Sequence, residues 1–506
     1  MNKILSPADF HDKQREAIEF MYKGDETLLL ADVGTGKTVM AMTVIKWWLE
    51  DGVADKVLII GPKRVCTDVW MDEWRMWRHL RQFKIASLAG KPSRARMAIL
   101  FNNKVVCMNY ELLPWVMQKF PNGVPGYNVL LFDEVDKMKE RSSLRFKGRG
   151  VRYKQVGETK KRVDRIPGVK KWRTNFDVIV GMTGTPNSNC RSDLWAQCYC
   201  LDGGKRLGEK WNKFKEEYFT SGGFKGYSLE IKPGAADKIY DAIEDMTFRI
   251  ETRRKDKAAI RLPQRVVRMP HKVQEQYYRM EREYVIEFEG QEATPTLAVS
   301  AGAKHQKLRQ IASGFVYADY EEDRPDGQGG VNIVNKRETK WLHNAKTDEL
   351  MSLCSELQGK QLMIVYHFKA QAEELERKFG RKIEFIGKGR SDAQVSATIK
   401  KWNAGKLQYL GLQPQSGGHG LNLQKSGAHH VALLNNPDSA GLYKQVVGRL
   451  DREGQVNQVY VHTFLTWDTV DEDRDIMVNS KLVDLQKTLD AIKARQERRG
   501  RIRTGE

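Results

Sequence analysis

Cysteine is scarce in this sequence, with six residues in a chain of 506. So few thiols in so long a chain exclude a fold built on disulfides, and we expect reduced, mostly buried side chains. Cys190, Cys198 and Cys200 lie close together, but they lack the paired spacing of a zinc site.

Long apolar segments are missing too. No run of residues approaches the length that a bilayer span requires. The start of the chain, MNKILSPADF, also lacks the apolar stretch of a secretory signal. We therefore predict a soluble, cytoplasmic protein without a membrane partner.

Acidic residues are outnumbered by basic ones. Lys and Arg total 85 against 65 Asp and Glu, which gives a formal net charge of +20. Such a surplus indicates either a polyanionic partner, such as nucleic acid, or a basic surface that only aids solubility. Charge alone does not separate these two interpretations.

Short apolar runs, by contrast, recur along the chain in two series. They lack the alternation of half-buried strands, so we expect parallel sheets covered by helices on both faces. The first series comprises residues 27–31, 56–61, 104–109, 128–133 and 178–184, and the second comprises 362–367, 382–387, 408–413, 429–435 and 458–464. An α/β protein with two lobes follows from the two series.

A glycine-rich loop, ADVGTGKT over residues 31–38, separates the first apolar run from a segment of helix formers. A loop in this position can bind phosphate through backbone N–H groups at the positive end of the helix. The predicted contacts with ATP are Gly34, Thr35, Gly36, Lys37 and Thr38. Lys37 would neutralise the β- and γ-phosphates and Thr38 would bind Mg²⁺. The alternative is an ordinary glycine-rich turn.

An acidic pair, Asp133 and Glu134, follows the apolar run NVLLF. Ligands of parallel sheets gather at the carboxyl ends of the strands. Asp133 is therefore predicted to hold Mg²⁺, and Glu134 to orient or deprotonate the attacking water. The alternative is a pair of solvated carboxylates at the start of a helix.

A third group of candidate residues lies in YKQVVGRLDREGQ, after the second series of strands. Arg449 and Arg452 are three residues apart, so they would share one face of a helix. Phosphoryl transfer needs such donors, because negative charge spreads over the transferring group. We predict that both arginines are catalytic, against the alternative of a surface helix with unremarkable charges.

Together these segments resemble the Swi/Snf-like branch of the superfamily 2 helicases and translocases. FHDKQREAIEFM is similar to the adenine-recognition segment of that family, and IIGPKRVCTDVWMDEW is similar to its next motif. CMNYELL resembles a segment that contacts a nucleic-acid strand. GMTGTPNSN matches the motif that couples ATP to nucleic acid. SGGHGLNLQKS and NNPDSAGLYKQVVGRLDREGQ resemble the last two motifs.

The resemblance implies two RecA-like parallel-sheet lobes with helical insertions between them, with ATP in the cleft and nucleic acid crossing both lobes. Family members typically move along double-stranded DNA without separating its strands. The nucleotide contacts implied by the matching positions are Gln14, Gly420 and Gln445. The implied nucleic-acid contacts are Lys63, Arg64, Asn109 and Tyr110.

The resemblance also suggests how the chain is divided. Lobe 1 would span residues 1–250, with a basic insertion at 139–173 and helical elements at 190–250. The other predicted parts are a linker at 251–270, a helical insertion at 271–340, lobe 2 at 341–480 and a basic tail at 481–506. Residues 318–332 are polar and glycine-rich, so we expect an exposed loop there.

The basic insertion is a further candidate for DNA contact, because Lys160, Lys161 and Arg162 belong to a dense run of positive charge. Trp70, Trp74 and Trp77 lie at helical spacing. We interpret them as core residues of an amphipathic helix, although they could instead form a base-stacking platform.

The sequence thus predicts an ATP-dependent motor moving on double-stranded DNA, with ATP and Mg²⁺ as ligands. A strand-separating DNA helicase or an RNA helicase is the first alternative. A non-catalytic nucleic-acid-binding scaffold is the second. The compact layout is similar to that of bacterial or phage members, so we expect a bacterial or phage-infected cytoplasm and separately encoded protein partners.

Overall fold

The computed structural model describes the chain except for residues 1–4, 150–151, 157–158, 164–165, 223–227, 253–257, 284, 287–295, 298–300, 326–330, 418–420 and 505–506. Two compact units are present. Unit 1 comprises Met1–Arg253 and Lys481–Glu506, and unit 2 comprises Arg254–Ser480. Within the described part of the chain, no helix is both long enough and apolar enough to cross a membrane.

Unit 1 is built on a seven-stranded sheet in the order β11-β1-β8-β5-β2-β4-β3, and all its strands are parallel. Two antiparallel hairpins, β6–β7 and β9–β10, lie outside it. The strands are Glu26–Ala31 (β1), Val57–Gly61 (β2), Ile85–Ser87 (β3), Val105–Asn109 (β4), Val129–Asp133 (β5), Arg152–Val156 (β6), Thr159–Val163 (β7), Val178–Thr183 (β8), Phe219–Gly222 (β9), Ser228–Ile231 (β10) and Thr247–Ile250 (β11).

The helices of unit 1 connect these strands. They are Asp12–Lys23 (α1), Lys37–Glu50 (α2), Trp70–Met76 (α3), Ser93–Asn102 (α4), Leu113–Lys119 (α5), Leu144–Lys147 (α6), Val169–Trp172 (α7), Asp193–Asp202 (α8), Trp211–Tyr218 (α9) and Ala235–Ala242 (α10). Every residue of β2, β4, β5 and β8 is buried. This confirms the prediction of parallel strands covered on both faces.

Unit 2 contains a second seven-stranded parallel sheet, in which β12-β22-β21-β18-β20-β19 form the main path and β13 also pairs with β22. The strands of this unit are Ile260–Arg261 (β12), Arg265–Val267 (β13), Val285–Ile286 (β14), Thr296–Leu297 (β15), Phe315–Pro325 (β16), Val331–Trp341 (β17), Leu362–Val365 (β18), Ile383–Ile386 (β19), Tyr409–Leu412 (β20), His430–Leu433 (β21) and Tyr460–Thr466 (β22).

The remaining helices, which follow β11 in the chain, are His271–Glu283 (α11), Ala301–Ala312 (α12), Ala345–Glu356 (α13), Lys369–Phe379 (α14), Asp392–Asn403 (α15), Pro414–Gly417 (α16), Ala440–Val447 (α17) and Val470–Thr504 (α18). All ten apolar runs predicted as strands are strands in the two sheets. The α/β fold with two parallel-sheet lobes is therefore confirmed.

The prediction of an exposed loop at 318–332 is wrong for most of this segment. Strands β16 and β17 form a long antiparallel hairpin in which Phe315 pairs with Trp341 and Pro325 pairs with Val331. Polar composition misled the prediction, because an antiparallel ladder satisfies the backbone whatever the side chains are. The basic insertion at 139–173 contains the hairpin β6–β7.

The linker predicted at 251–270 is partly sheet. Strands β12 and β13 run parallel to β22, with Ile260 opposite Tyr460 and Arg265 opposite Phe464. Pro263 lies between the two strands, and proline cannot donate to a strand ladder. Arg253 and Arg254, within the predicted linker, lie outside the described residues.

Residues 481–504 of the predicted basic tail belong to α18, which begins at Val470. Its residues from Lys481 onward group with unit 1. The prediction that the tryptophans pack in the core is confirmed for Trp70, which is fully buried, and for Trp77, which is 6% exposed and stacks on Phe10 at a centroid distance of 4.7 Å. Trp74 is only partly buried against the same core. The expected common helix is wrong for Trp77, because α3 ends at Met76.

Candidate active site

The glycine-rich loop joins β1 to α2 in unit 1. Gly34 and Gly36 have φ values of 86° and 82°, which side-chain-bearing residues seldom adopt. A Cβ atom on Gly36 would also lie 2.8 Å from Nε2 of Gln14. Helix α2 begins at Lys37, directly after Gly36. Its unpaired N–H groups and dipole therefore face the loop and favour an anion there.

Gln14 holds the loop from α1. Its Nε2 donates to the carbonyl of Thr35 at 2.9 Å, and its Oε1 accepts from the N–H of His11 at 3.1 Å. The side chain is only 7% exposed. Through these bonds Gln14 braces the loop. The nucleotide contact that the resemblance implies for Gln14 stays a prediction.

The side chain of Lys37 extends from the loop toward the acidic pair. Its Nζ donates to the carbonyl of Ala31 at 3.2 Å and lies 3.6 Å from Oε1 of Glu134. Strands β1 and β5 are separated by β8 alone, so their carboxyl ends meet at one edge of the sheet. The predicted phosphate-binding lysine and catalytic carboxylate are thus brought together.

Asp133 is the last residue of β5 and is 4% exposed. The indole Nε1 of Trp70 donates to its Oδ2 at 3.0 Å. Burial, followed by the charge of Glu134, raises the pKa of Asp133 to about 6. A buried carboxylate with few compensating partners is suited to a cation, which would return the pKa to a lower value.

Glu134 has a left-handed backbone, with φ 59° and ψ 60°. The hydroxyl of Tyr110 lies 3.0 Å from both the carbonyl of Asp133 and the carbonyl of Glu134. Tyr110 is 2% exposed, and Asn109 is 8% exposed and donates to Glu111 at 2.6 Å. These two predicted nucleic-acid contacts therefore present almost no side-chain surface.

Asp136 is buried next to the same group. Oγ1 of Thr183, at the end of β8, lies 3.4 Å from Oδ1 of Asp136 and 3.5 Å from Oε2 of Glu134. Burial, followed by the charge of Glu134, raises the pKa of Asp136 to about 7. The TGTP segment therefore touches the acidic turn through one hydroxyl.

The candidate residues of unit 2 lie around the end of α17. Helix α17 ends at Val447, so the shared helical face that we expected for Arg449 and Arg452 is wrong. The two side chains nevertheless approach the same atom. Nη1 of Arg449 lies 3.4 Å from the carbonyl of Leu421, and Nη1 of Arg452 lies 3.1 Å from it. Gln445 is 4% exposed, and Gly420 lies outside the described residues.

The remaining predicted nucleic-acid contacts are in unit 1. Lys63 is exposed after β2, and Arg64 pairs with Asp68 at 3.2 Å. Lys160, Lys161 and Arg162 belong to β7, and their side chains lie outside the described residues.

A magnesium ion at this site would need phosphate and water oxygens as ligands in addition to those of the protein. Among the described residues, no three His, Cys, Asp or Glu side chains are grouped to hold a metal. In the predicted site, the hydroxyl of Thr38 and the carboxylate of Asp133 would supply two oxygen donors. This suits Mg²⁺, which keeps several waters and binds substrate phosphates.

Sequence reasoning missed three residues of the site. Trp70 was assigned to the core without its bond to Asp133, and Tyr110 was assigned to nucleic acid. Arg249 was not noticed, although its Nη2 donates to Oδ1 of Asp32 in the loop at 2.8 Å. A local sequence pattern does not predict a bond between residues as far apart in the chain as Arg249 and Asp32.

Two family models match the chain. The SNF2-related domain matches residues 13–162, and the helicase conserved C-terminal domain matches residues 345–454. "Putative protein p41" of Acyrthosiphon pisum secondary endosymbiont phage 1 is 29% identical over 477 residues, which cover 92% of this chain and 94% of that protein.

A shorter segment of the chain is similar to a bacterial protein. "Putative ATP-dependent helicase/translocase YwqA" of Bacillus subtilis (strain 168) is 31% identical over 107 residues, which cover 21% of this chain and 11% of that protein. Among solved structures, the Sulfolobus solfataricus SWI2/SNF2 ATPase core in complex with dsDNA aligns over 98% of this chain and 96% of that chain. It has 17% identity and a TM-score of 0.41.

Proposed function

We propose that this chain hydrolyses ATP to move along double-stranded DNA. The premise is that it belongs to the Swi/Snf-like branch of the superfamily 2 helicases and translocases. The observation that carries the proposal is the 3.6 Å approach of Lys37 Nζ to Glu134 Oε1. It supports the proposal, because an ammonium suited to binding phosphate lies next to a carboxylate suited to activating water.

In this mechanism the loop 31–38 binds the phosphates of ATP. Backbone N–H groups at the start of α2 and the ammonium of Lys37 supply positive charge. Thr38 and Asp133 would hold Mg²⁺, which neutralises phosphate charge when bound. Gln14 keeps the loop in place through Thr35.

Glu134 is the residue that orients or deprotonates the attacking water. Its Oε1 lies near Lys37 and its Oε2 near Thr183, so both carboxylate oxygens are directed by neighbouring groups. During turnover, Arg449 and Arg452 supply positive charge to the transferring phosphoryl group, whose negative charge grows in the transition state. Gln445 and Gly420 contribute nucleotide contacts in the same step.

The nucleic-acid partner is proposed from charge and family membership. A formal net charge of +20 favours a polyanion. Contacts with phosphates carry little sequence information, so binding is expected to be largely independent of sequence. Lys63, Arg64 and the β6–β7 hairpin are the proposed contact regions. Separately encoded protein partners would direct the motor to its target.

Two alternatives are distinguished by simple assays. A strand-separating helicase would unwind a tailed duplex, and an RNA helicase would respond chiefly to RNA. A non-catalytic scaffold is disfavoured, because Lys37, Asp133 and Glu134 are all present and lie together in unit 1.

The test is ATP hydrolysis by the full chain without nucleic acid and with duplex DNA, single-stranded DNA or RNA. We expect stimulation chiefly by duplex DNA. Lys37→Ala should abolish turnover, whereas Lys46→Ala on the same helix should retain it. Stimulation chiefly by single strands or RNA would favour the helicase alternative. Turnover in Lys37→Ala equal to that of the unsubstituted protein would refute the site.

Movement needs a separate assay. A motor that translocates on duplex DNA should displace a third strand from a triplex in an ATP-dependent manner while leaving a tailed duplex paired. Unwinding of the tailed duplex would replace the translocase proposal by the helicase.

A further inference from the structure

Tyr110 connects the end of β4 to the end of β5. It follows Asn109, the last residue of β4, and its ring is 2% exposed. The hydroxyl lies 3.0 Å from the carbonyl of Asp133 and 3.0 Å from the carbonyl of Glu134. A phenol has one proton to donate, so these two acceptors share one bond across the turn.

The turn that Tyr110 contacts is unusual. Glu134 adopts φ 59° and ψ 60°, a left-handed conformation that is unfavourable for a residue with a Cβ atom. Such conformations persist when surrounding contacts determine them, and they cluster at active sites. The N–H of Lys137 also donates to the carbonyl of Glu134 at 3.0 Å. Tyr110 supplies the side-chain contact on the same atom.

The conformation of this turn decides where the Glu134 carboxylate lies. Oε1 is 3.6 Å from Nζ of Lys37, and Oε2 is 3.5 Å from Oγ1 of Thr183. Return of Glu134 to a right-handed or extended backbone would turn the side chain away from both groups. A displacement of about 1 Å at a reacting group can lower a rate by about 100-fold.

We propose that Tyr110 is a positioning residue that holds Glu134 in its left-handed conformation and thereby aims the carboxylate at the attacking water. This inference rests on the proposed ATPase function and adds a residue to it. The hydroxyl of Tyr110 is bonded to backbone carbonyls of the turn, so it would act on the rate through Glu134. Its removal should lower kcat and leave ATP binding almost unchanged.

The test is Tyr110→Phe, which removes the hydroxyl and keeps the ring. We expect kcat for duplex-stimulated hydrolysis to fall about tenfold, the size of effect that corresponds to one well-aligned hydrogen bond. KM for ATP should change by less than about twofold, since the phosphate loop is untouched. A raised KM with an unchanged kcat would overturn the inference.

Tyr127 offers a matched control in the same unit. Its hydroxyl donates to the carbonyls of Leu100 and Asn103 at 2.9 Å and 3.2 Å, and it is 3% exposed. Tyr127→Phe therefore loses a similar buried bond away from the acidic turn. It should retain kcat within about twofold. Equal losses of kcat in the two variants would show a general loss of stability and overturn the inference.

A double-variant cycle tests whether Tyr110 acts through Glu134. Because Glu134→Gln removes the carboxylate that Tyr110 positions, adding Tyr110→Phe to it should cause little further loss of kcat. A full tenfold loss in both backgrounds would overturn the inference. If the unsubstituted protein hydrolyses no ATP, the proposed function fails together with the inference. If that protein is active and Tyr110→Phe matches it, the inference alone fails.

Discussion

Arg249 is hydrogen-bonded to Asp32, the second residue of the proposed phosphate-binding loop. Nη2 of Arg249 donates to Oδ1 of Asp32 at 2.8 Å, and Nη1 donates to the carbonyls of Leu30 and Ile250 at 3.2 Å and 2.9 Å. The N–H of Thr252 donates to Oδ2 of Asp32 at 3.2 Å. Strand β11 therefore holds the loop through a guanidinium that is 4% exposed.

Replacement of Arg249 by methionine should weaken both the loop and unit 1. Removing the arginine leaves the half-buried Asp32 carboxylate without its cationic partner, and loss of the charged hydrogen bond costs about 2 kcal/mol. We expect a lower melting temperature and a higher KM for ATP. Asp32→Asn in the same protein should recover part of both losses, because it removes the orphaned charge. No recovery would show that the arginine acts through its carbonyl bonds alone.

The second half of α18 should be needed for the stability of unit 1. Arg495 is 6% exposed and binds Asp237 and Asp241, while Oε1 of Gln496 accepts from the N–H of Arg249 at 2.6 Å. Arg495→Ala should lower the free energy of unfolding by about 2 kcal/mol, since it removes a buried guanidinium together with its charged hydrogen bonds. Thermal or urea unfolding measures this.

Arg498→Ala is the control for that variant, because Arg498 lies exposed on the same helix. It removes the same charge and should change the stability by less than about 0.5 kcal/mol. Equal effects of the two substitutions would contradict a specific role for Arg495.

The β6–β7 hairpin should contribute to the salt dependence of DNA binding. Replacement of Lys160, Lys161 and Arg162 by serine should reduce the slope of log K against log salt by roughly 0.9 for each phosphate that the protein no longer neutralises. Affinity measured between low and physiological salt gives this slope. Serine substitutions at Lys84, Lys213 and Lys238, which are exposed elsewhere in unit 1, form the control. An unchanged slope in the hairpin variant would rule out binding of DNA by the hairpin.

A pair of buried histidines should make unit 2 sensitive to acid. Nδ1 of His430 lies 3.2 Å from Nε2 of His462. Burial and neighbouring positive charge lower the pKa of His430 to about 3 and that of His462 to about 4. Both imidazoles stay neutral in the folded chain at pH values where the unfolded chain takes up protons. Stability is thus retained above about pH 6.5 and lost as the pH falls toward 4.

Each histidine can add up to about 1.4 kcal/mol per pH unit to this loss. Unfolding measured between pH 7.5 and 4.5 should show a shallower decline after substitution of both histidines by glutamine. His271→Gln, at an exposed position of α11, should keep the original decline. A decline that is identical in all three proteins would contradict the role of the pair.

Local patterns were sufficient for much of the fold and for the chemical groups of the site. The apolar runs before Asp32 and Glu134 predicted buried parallel strands, and β1 and β5 are such strands. Placing Lys37 and Glu134 together followed from the rule that parallel strands end at one edge of a sheet. The hairpin β16–β17 was missed, because its polar sequence is typical of a loop.

The charged groups, the apolar runs and the positions of the loop glycines can be read directly from the sequence, since all of these are local properties. Which distant side chains support those groups depends on how the chain folds. Trp70 and Asp133 are 63 residues apart, and Arg249 and Asp32 are 217 residues apart. Their pairing depends on strand order and helix packing, which bring chain-distant atoms to hydrogen-bonding distance. No short-range pattern encodes that proximity.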